Sequence, residues 1–156
     1  GSDEEVRGYM QKLSETGKYT VSDRVLRAVQ AEFSCGFCTD AQGAQTIGRT
    51  FRENHYLLDT HTAVACTVLD AYRAETSDQT LTVVESTASP FKFCASVLDA
   101  LGVTEHAPGT GVLSQLTAET GRPAPKPLAS LAGKPVRFDQ VTDRGDMRAV
   151  VTEFLR

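Results

Sequence analysis

The chain is 156 residues long, with 40% hydrophobic residues, 23% charged residues and a formal net charge of -4 at pH 7. This length fits one domain, and the composition is that of a globular protein, which excludes disordered, collagen-like and coiled-coil chains. No Lys or Arg run forms a basic stripe, and no apolar stretch approaches the roughly 20 residues of a membrane span, so the expected location is the cytoplasm, with neither nucleic acid nor a membrane as partner.

Four helices are predicted in the first half of the chain. Apolar residues at helical spacing begin a first helix at Asp3, and Gly17 ends it. Ser22 and Thr39 precede two further patterns of this kind and are expected to N-cap a second and a third helix. The fourth helix, over residues 63–73, consists of small and apolar residues and is predicted to be buried.

Two strands are predicted in the second half. Residues 81–86 are rich in β-branched side chains and are followed at once by a loop and a helix. Residues 135–138 form a second such segment, after a Gly- and Pro-rich stretch that brackets two short helices. A closing helix is predicted over residues 147–155 with its apolar side inward. The alternation of helices and strands predicts an α/β, helix-rich class.

Three hydroxyl side chains, Ser86, Thr87 and Ser89, lie in the loop after the first predicted strand. In open α/β sheets, ligands bind at loops that follow the carboxyl ends of strands. A hydroxyl there can hydrogen-bond a ring nitrogen or a phosphate, but it can also cap the next helix. Spacing alone favours capping.

Two long stretches resemble signature segments of the threonine synthase family. They are residues 54–65, NHYLLDTHTAVA, and residues 83–93, VVESTASPFKF. The flanking residues 6–21 and 134–137 also resemble family segments. The resemblance therefore covers nearly the whole chain and identifies it as the C-terminal portion of such an enzyme.

The resemblance implies a fold-type-II pyridoxal-phosphate (PLP) enzyme, with few parallel strands flanked by helices. Family members are lyases that convert O-phospho-L-homoserine and water to L-threonine and phosphate. Residues 3–156 would complete the PLP-binding α/β domain, whereas Gly1 and Ser2 are expected to be an expression scar. The Schiff-base lysine and the phosphate-binding loop would lie in a missing N-terminal part. We therefore expect the isolated chain to be inactive.

Matching positions in the family suggest the site residues. They give Thr87 the hydrogen bond to the pyridine nitrogen of the cofactor, with Ser86 beside it as a second cofactor-binding residue. Asp59, His61 and Lys92 are candidate residues of the site wall. The alternatives are an N-cap for Asp59, a packed core histidine for His61, and for Lys92 either a surface role or one facing the substrate phosphate.

One residue departs from the family pattern, since Thr60 stands where Pro is expected at the first helical turn, a change that the fold should tolerate. Two other functions stay open. The first is a non-catalytic binding or assembly module that reuses the fold. The second is a thiol redox protein built on Cys35 and Cys38, the one C-x-x-C motif. A single pair completes no zinc site, so no metal is predicted.

Overall fold

The structure is a computed structural model and describes residues 2–155. Helices dominate it. Within the described range the α-helices are α1 (Asp3–Thr16), α2 (Asp23–Glu32), α3 (Asp40–Asn54), α4 (Thr60–Thr76), α5 (Cys94–Ala100), α6 (Gly111–Thr120), α7 (Lys126–Ala129) and α8 (Met147–Phe154). Short 3-10 helices cover Pro90–Lys92, Ser130–Gly133 and Arg144–Asp146. None of the helices in this range is both long and apolar enough to cross a bilayer.

The predicted N-caps are confirmed for the first half of the chain. The Ser22 side chain accepts a hydrogen bond from the first turn of α2. Thr39 and Gln42 form a reciprocal capping box at the start of α3. The Ser2 side chain N-caps α1 by accepting a hydrogen bond from the backbone N–H of Glu5. Gly1, the other residue of the expected scar, lies outside the described residues.

The hydrophobic core lies between α3, α4, α5 and α6. α3 packs against both α4 and α5, and α5 packs against α6. Gly48 makes the approach of α3 to α5 close, because a Cβ at this position would lie 2.7 Å from the backbone oxygen of Ala100. The buried hydrophobic residues are Ile47, Leu57, Leu58, Ala63, Phe91, Cys94, Val97, Leu98 and Leu116.

The two predicted strands, residues 81–86 and 135–138, are wrong for this chain. Neither segment forms a strand, and no strand occurs anywhere in residues 2–155, so the α/β class and its parallel strands are not seen here. A β-strand needs a neighbour to pair its backbone groups, and these segments have none within the described residues. Leu81 and Val83 are accordingly 93% and 85% exposed.

Two predictions of burial are also wrong. In α4 only Thr62 and Ala63 are buried, although the whole helix was expected to be. The apolar side of α8 was expected to face inward, yet Val151 and Phe154 are exposed. These side chains are apolar, but too little of the described chain packs around them to bury them.

Candidate functional site

The candidate site is built around Asp59, which is only 1% exposed. Its extended backbone places the side chain over the first turn of α4. There Asp59 Oδ1 accepts hydrogen bonds from the backbone N–H groups of His61, at 2.9 Å, and Thr62, at 3.2 Å. A carboxylate at this position also interacts favourably with the helix dipole. The N-cap interpretation of Asp59 is therefore confirmed.

The second carboxylate oxygen of Asp59 connects α4 to the loop that follows residues 81–85. The Thr62 hydroxyl donates a hydrogen bond to Asp59 Oδ2. The Ser86 hydroxyl lies 3.3 Å from the same oxygen and 3.1 Å from Thr62 Oγ1. We call this group of three side chains the Asp59 network. It brings together two sequence segments that are 27 residues apart.

Hydrogen bonds decide the charge state of Asp59. Burial by itself would raise the pKa of this carboxyl, because it disfavours the charged form. The hydrogen bonds from the Thr62 hydroxyl, from the backbone of Thr62 and His61, and from Ser86 act in the opposite direction. Together they lower the pKa of Asp59 below its ordinary value. The carboxylate is therefore charged at neutral pH.

The loop hydroxyls have different roles in the structure. Ser86 belongs to the Asp59 network. Ser89 Oγ accepts a hydrogen bond from the backbone N–H of Phe91 at 3.3 Å, so the capping role that spacing favoured falls to Ser89. Thr87 lies between them and is exposed, and none of the hydrogen bonds found within residues 2–155 uses its hydroxyl.

His61 and Lys92 both lie near the ring of Phe93. The His61 and Phe93 ring centroids are 5.1 Å apart, and Lys92 Nζ lies 6.0 Å from the Phe93 centroid. His61 Nδ1 is 3.6 Å from Asp59 Oδ1. The His61 side chain is 68% exposed, so it is not a packed core histidine. Sequence reasoning gave Phe93 no role at the site, although Phe93 belongs to the signature segment 83–93 and directly follows Lys92.

A cavity of about 570 Å³ opens beside this cluster. It is lined by the first turn of α3 and by Thr60, Val64 and Phe93. Ser86 and Thr87 are not among its lining residues. The structure thus joins Ser86 to Asp59, and it places His61 and Lys92 around Phe93 at the edge of the cavity.

No disulfide joins the four cysteines, which all lie within the described residues. All four are free thiols, with Cys35 exposed and Cys38 half-buried just before α3. Burial raises the pKa of the Cys66 and Cys94 thiols, which favours their unreactive protonated form. In the part of the chain that is described, no group of three or more His, Cys, Asp or Glu side chains is placed to hold a metal ion.

Comparisons with known proteins agree on one family. Residues 62–152, more than half of the chain, match the family model for threonine synthase, C-terminal. The chain is 28% identical over 101 residues to threonine synthase of Saccharomyces cerevisiae, a match that covers 62% of this chain and 20% of that protein. It is 27% identical over 94 residues to threonine synthase-like 1 of Homo sapiens, covering 60% of this chain and 12% of the human protein.

A solved structure is also similar. The PLP-bound threonine synthase from Brucella melitensis superposes with a TM-score of 0.67 at 30% sequence identity. The match covers 96% of this chain but only 27% of the Brucella chain. The present chain therefore corresponds to about a quarter or less of the full length of these relatives.

Proposed function

Because this chain belongs to the threonine synthase family, in the region of the C-terminal family model, we propose that it is the C-terminal part of an enzyme that makes L-threonine. The proposed reaction converts O-phospho-L-homoserine and water to L-threonine and phosphate. In this proposal residues 3–156 complete the PLP-binding domain. The cytoplasmic location inferred from composition stays a prediction.

The observation that supports this proposal best is the superposition of nearly the whole chain on a PLP-bound threonine synthase. Both signature segments take part in one local arrangement, since residues 54–65 contain Asp59 and residues 83–93 contain Ser86. The hydrogen bond between these two side chains holds the segments together. A site at this junction would thus draw on both segments.

Thr87 is the proposed ligand of the cofactor's pyridine nitrogen, with Ser86 beside it. PLP, when bound, supplies an electron sink for the carbanion that the reaction generates. The residues present fit this group, because Thr87 is exposed and offers a neutral hydroxyl, and such a partner leaves the pyridine nitrogen largely unprotonated. Asp59, His61 and Lys92 would then form the wall of the site, in support of the bound groups rather than as catalysts.

The remaining part of the enzyme is the proposed partner of this chain. Extended apolar segments and the apolar side of α8 are exposed in the isolated chain, as Leu81, Val83 and Phe154 show. Exposed apolar patches of this kind mark surfaces that bind protein. In our proposal the missing part covers them and brings the Schiff-base lysine. The isolated chain is then inactive.

The direct test is to mix the chain with the remaining part of a threonine synthase and PLP. We expect phosphate release from O-phospho-L-homoserine only when both parts are present. The variant Thr87→Val should shift the absorbance of the bound cofactor and lower phosphate release. Thr104→Val is the matched control, because Thr104 is an exposed threonine in a different loop.

A second readout needs no activity. The chain alone is incubated with PLP, reduced with borohydride and mapped by mass spectrometry. No stoichiometric adduct at one lysine is expected. A single saturable adduct, at Lys92 for example, would mean that the chain carries its own cofactor lysine, and it would contradict the proposal.

A further inference from the structure

The Asp59 network uses the only hydrogen that the Ser86 hydroxyl has. A serine hydroxyl donates one hydrogen bond. The Thr62 hydroxyl donates its own hydrogen to Asp59 Oδ2. The Ser86 hydroxyl donates its hydrogen to Asp59 Oδ2 at 3.3 Å, and Ser86 Oγ also lies 3.1 Å from Thr62 Oγ1. While this hydrogen bond is intact, Ser86 has no hydrogen left for a ligand.

This assignment separates two neighbouring residues that family resemblance groups together. An unprotonated ring nitrogen requires a donor. Both residues are exposed, but Ser86 cannot act as a donor while its hydrogen bond to Asp59 is intact, whereas the hydroxyl of Thr87 makes no hydrogen bond within residues 2–155. The backbone of Ser86 still fixes where Thr87 stands, because the two residues are adjacent. The Ser86 side chain therefore fixes the loop through its hydrogen bond to Asp59, whereas the Thr87 hydroxyl is available to a ligand.

We propose that Asp59 is a positioning residue that acts through Ser86, and that Ser86 anchors the loop without donating to the cofactor, which leaves Thr87 as the donor. The inference rests on the proposed function for the role of Thr87. The anchoring itself is a property of this chain alone. Asp59 is suited to the task because it is buried and fixed at the N-terminus of α4 by two backbone hydrogen bonds.

A double-mutant cycle in the chain tests the anchor without any cofactor. Asp59→Asn keeps an oxygen for the N-cap but replaces the acceptor that Ser86 uses with an amide donor. We expect Ser86→Ala to raise the unfolding equilibrium constant roughly fivefold, a loss of about 1 kcal/mol of stability, in the wild-type chain and to have a much smaller effect in Asp59→Asn. An equal effect in both backgrounds would overturn the proposal.

Ser89→Ala is the matched control for this cycle, because Ser89 lies in the same loop and bonds only to the 3-10 turn that follows it. Its effect should be the same with Asp59 or Asn at position 59. If Asp59→Asn does not fold, hydrogen exchange of the amides of residues 87 and 88 decides. Faster exchange in Ser86→Ala than in Ser89→Ala supports the anchor, and equal exchange refutes it.

The cofactor readout uses the enzyme assembled from this chain and its remaining part. Ser86→Ala and Asp59→Asn should each weaken PLP binding severalfold, without additivity and without moving the absorbance maximum. Ser86→Thr keeps the hydroxyl and should restore binding. Thr87→Val should move the maximum. A shifted maximum in Ser86→Ala would mean that Ser86 itself contacts the ring, against the proposal.

A failure of the proposed anchor can be distinguished from a failure of the proposed function. A clear coupling between Asp59 and Ser86, with no spectral change in Thr87→Val, supports the anchor and refutes the proposed cofactor role of Thr87. A spectral change in Thr87→Val without coupling supports the proposed function and refutes the anchor.

Discussion

Asp59 is a buried carboxylate whose value to the fold depends on its charge. Its pKa is lowered in the folded chain, so the stabilisation is complete above the ordinary pKa of an unfolded Asp and is lost as the pH falls through the lower folded value. We expect Asp59→Asn to cost about 1–3 kcal/mol of unfolding free energy at pH 7. Urea unfolding of both proteins across pH 2 to 8 measures the difference.

The difference between wild type and Asp59→Asn should shrink only at strongly acid pH. A control is Asp40→Asn, since Asp40 is exposed and does not belong to the network. That substitution should change stability by about 0.5 kcal/mol or less. A cost at position 59 that is constant down to the acid limit would show that shape, and not charge, makes Asp59 important.

The Asp59 network includes one feature that could be predicted from the sequence and one that could not. The N-cap role of Asp59 is local and could be predicted from the residues that follow it. The contact with Ser86 spans 27 positions and depends on how α4 meets the later loop. No local sequence pattern predicts that tertiary contact. The exposure of His61 could not be predicted from its neighbours in sequence either, because the ring that it contacts belongs to Phe93, far along the chain.

Among the secondary-structure elements, α3 and α5 approach each other closely at Gly48. A Cβ there would lie 2.7 Å from the Ala100 backbone oxygen, which cannot move away without shifting α5. We expect Gly48→Ala to destabilise the chain by about 1–3 kcal/mol, although Ala is the better helix former. The matched control is Gly8→Ala in α1, where nothing lies within 4 Å. It should stabilise by about 0.5–1 kcal/mol. Thermal unfolding compares the two.

The contact between α5 and α6 can be tested at Leu116, which is fully buried. Leu116→Ala removes apolar contacts and leaves a cavity, so we expect a loss of about 2–5 kcal/mol in urea unfolding. Leu131→Ala makes the same change where the side chain is 46% exposed. There the loss should stay below about 1 kcal/mol. Equal losses would mean that α6 does not pack against the core.

Helices could be predicted from this sequence and strands could not, for a physical reason. A helix satisfies its backbone within one segment, and the caps at Ser22 and Thr39 are local, so α2 and α3 start where the sequence indicates. A strand needs a partner segment. Residues 81–86 carry the composition of a strand, but nothing in residues 2–155 pairs with them. Composition indicates the tendency of a segment to form a strand, but it does not indicate whether another segment lies beside it to pair with.

At the scale of the whole molecule, the lack of packing partners for some segments predicts that local stability is uneven. The core of α3 to α6 contains all of the buried hydrophobic side chains apart from Leu57, Leu58 and Phe91, which lie in the adjoining segments. α8 packs mainly against the 3-10 turn before it. Residues 134–143 have no helix or strand, and Val136 and Val141 are exposed. Segments with few buried contacts open at little cost in free energy.

Hydrogen exchange can measure this unevenness and its dependence on a partner. In the chain alone, amides of α3 and α5 should exchange slowly, whereas those of residues 81–86 and 134–143 should exchange at rates close to an unstructured peptide. Adding the remaining part of a threonine synthase should slow exchange at residues 81–86, because strand pairing would protect their amides. Slow exchange at residues 81–86 without a partner would mean that the chain pairs these groups itself, for example with a second copy, and would favour an assembly module over part of an enzyme.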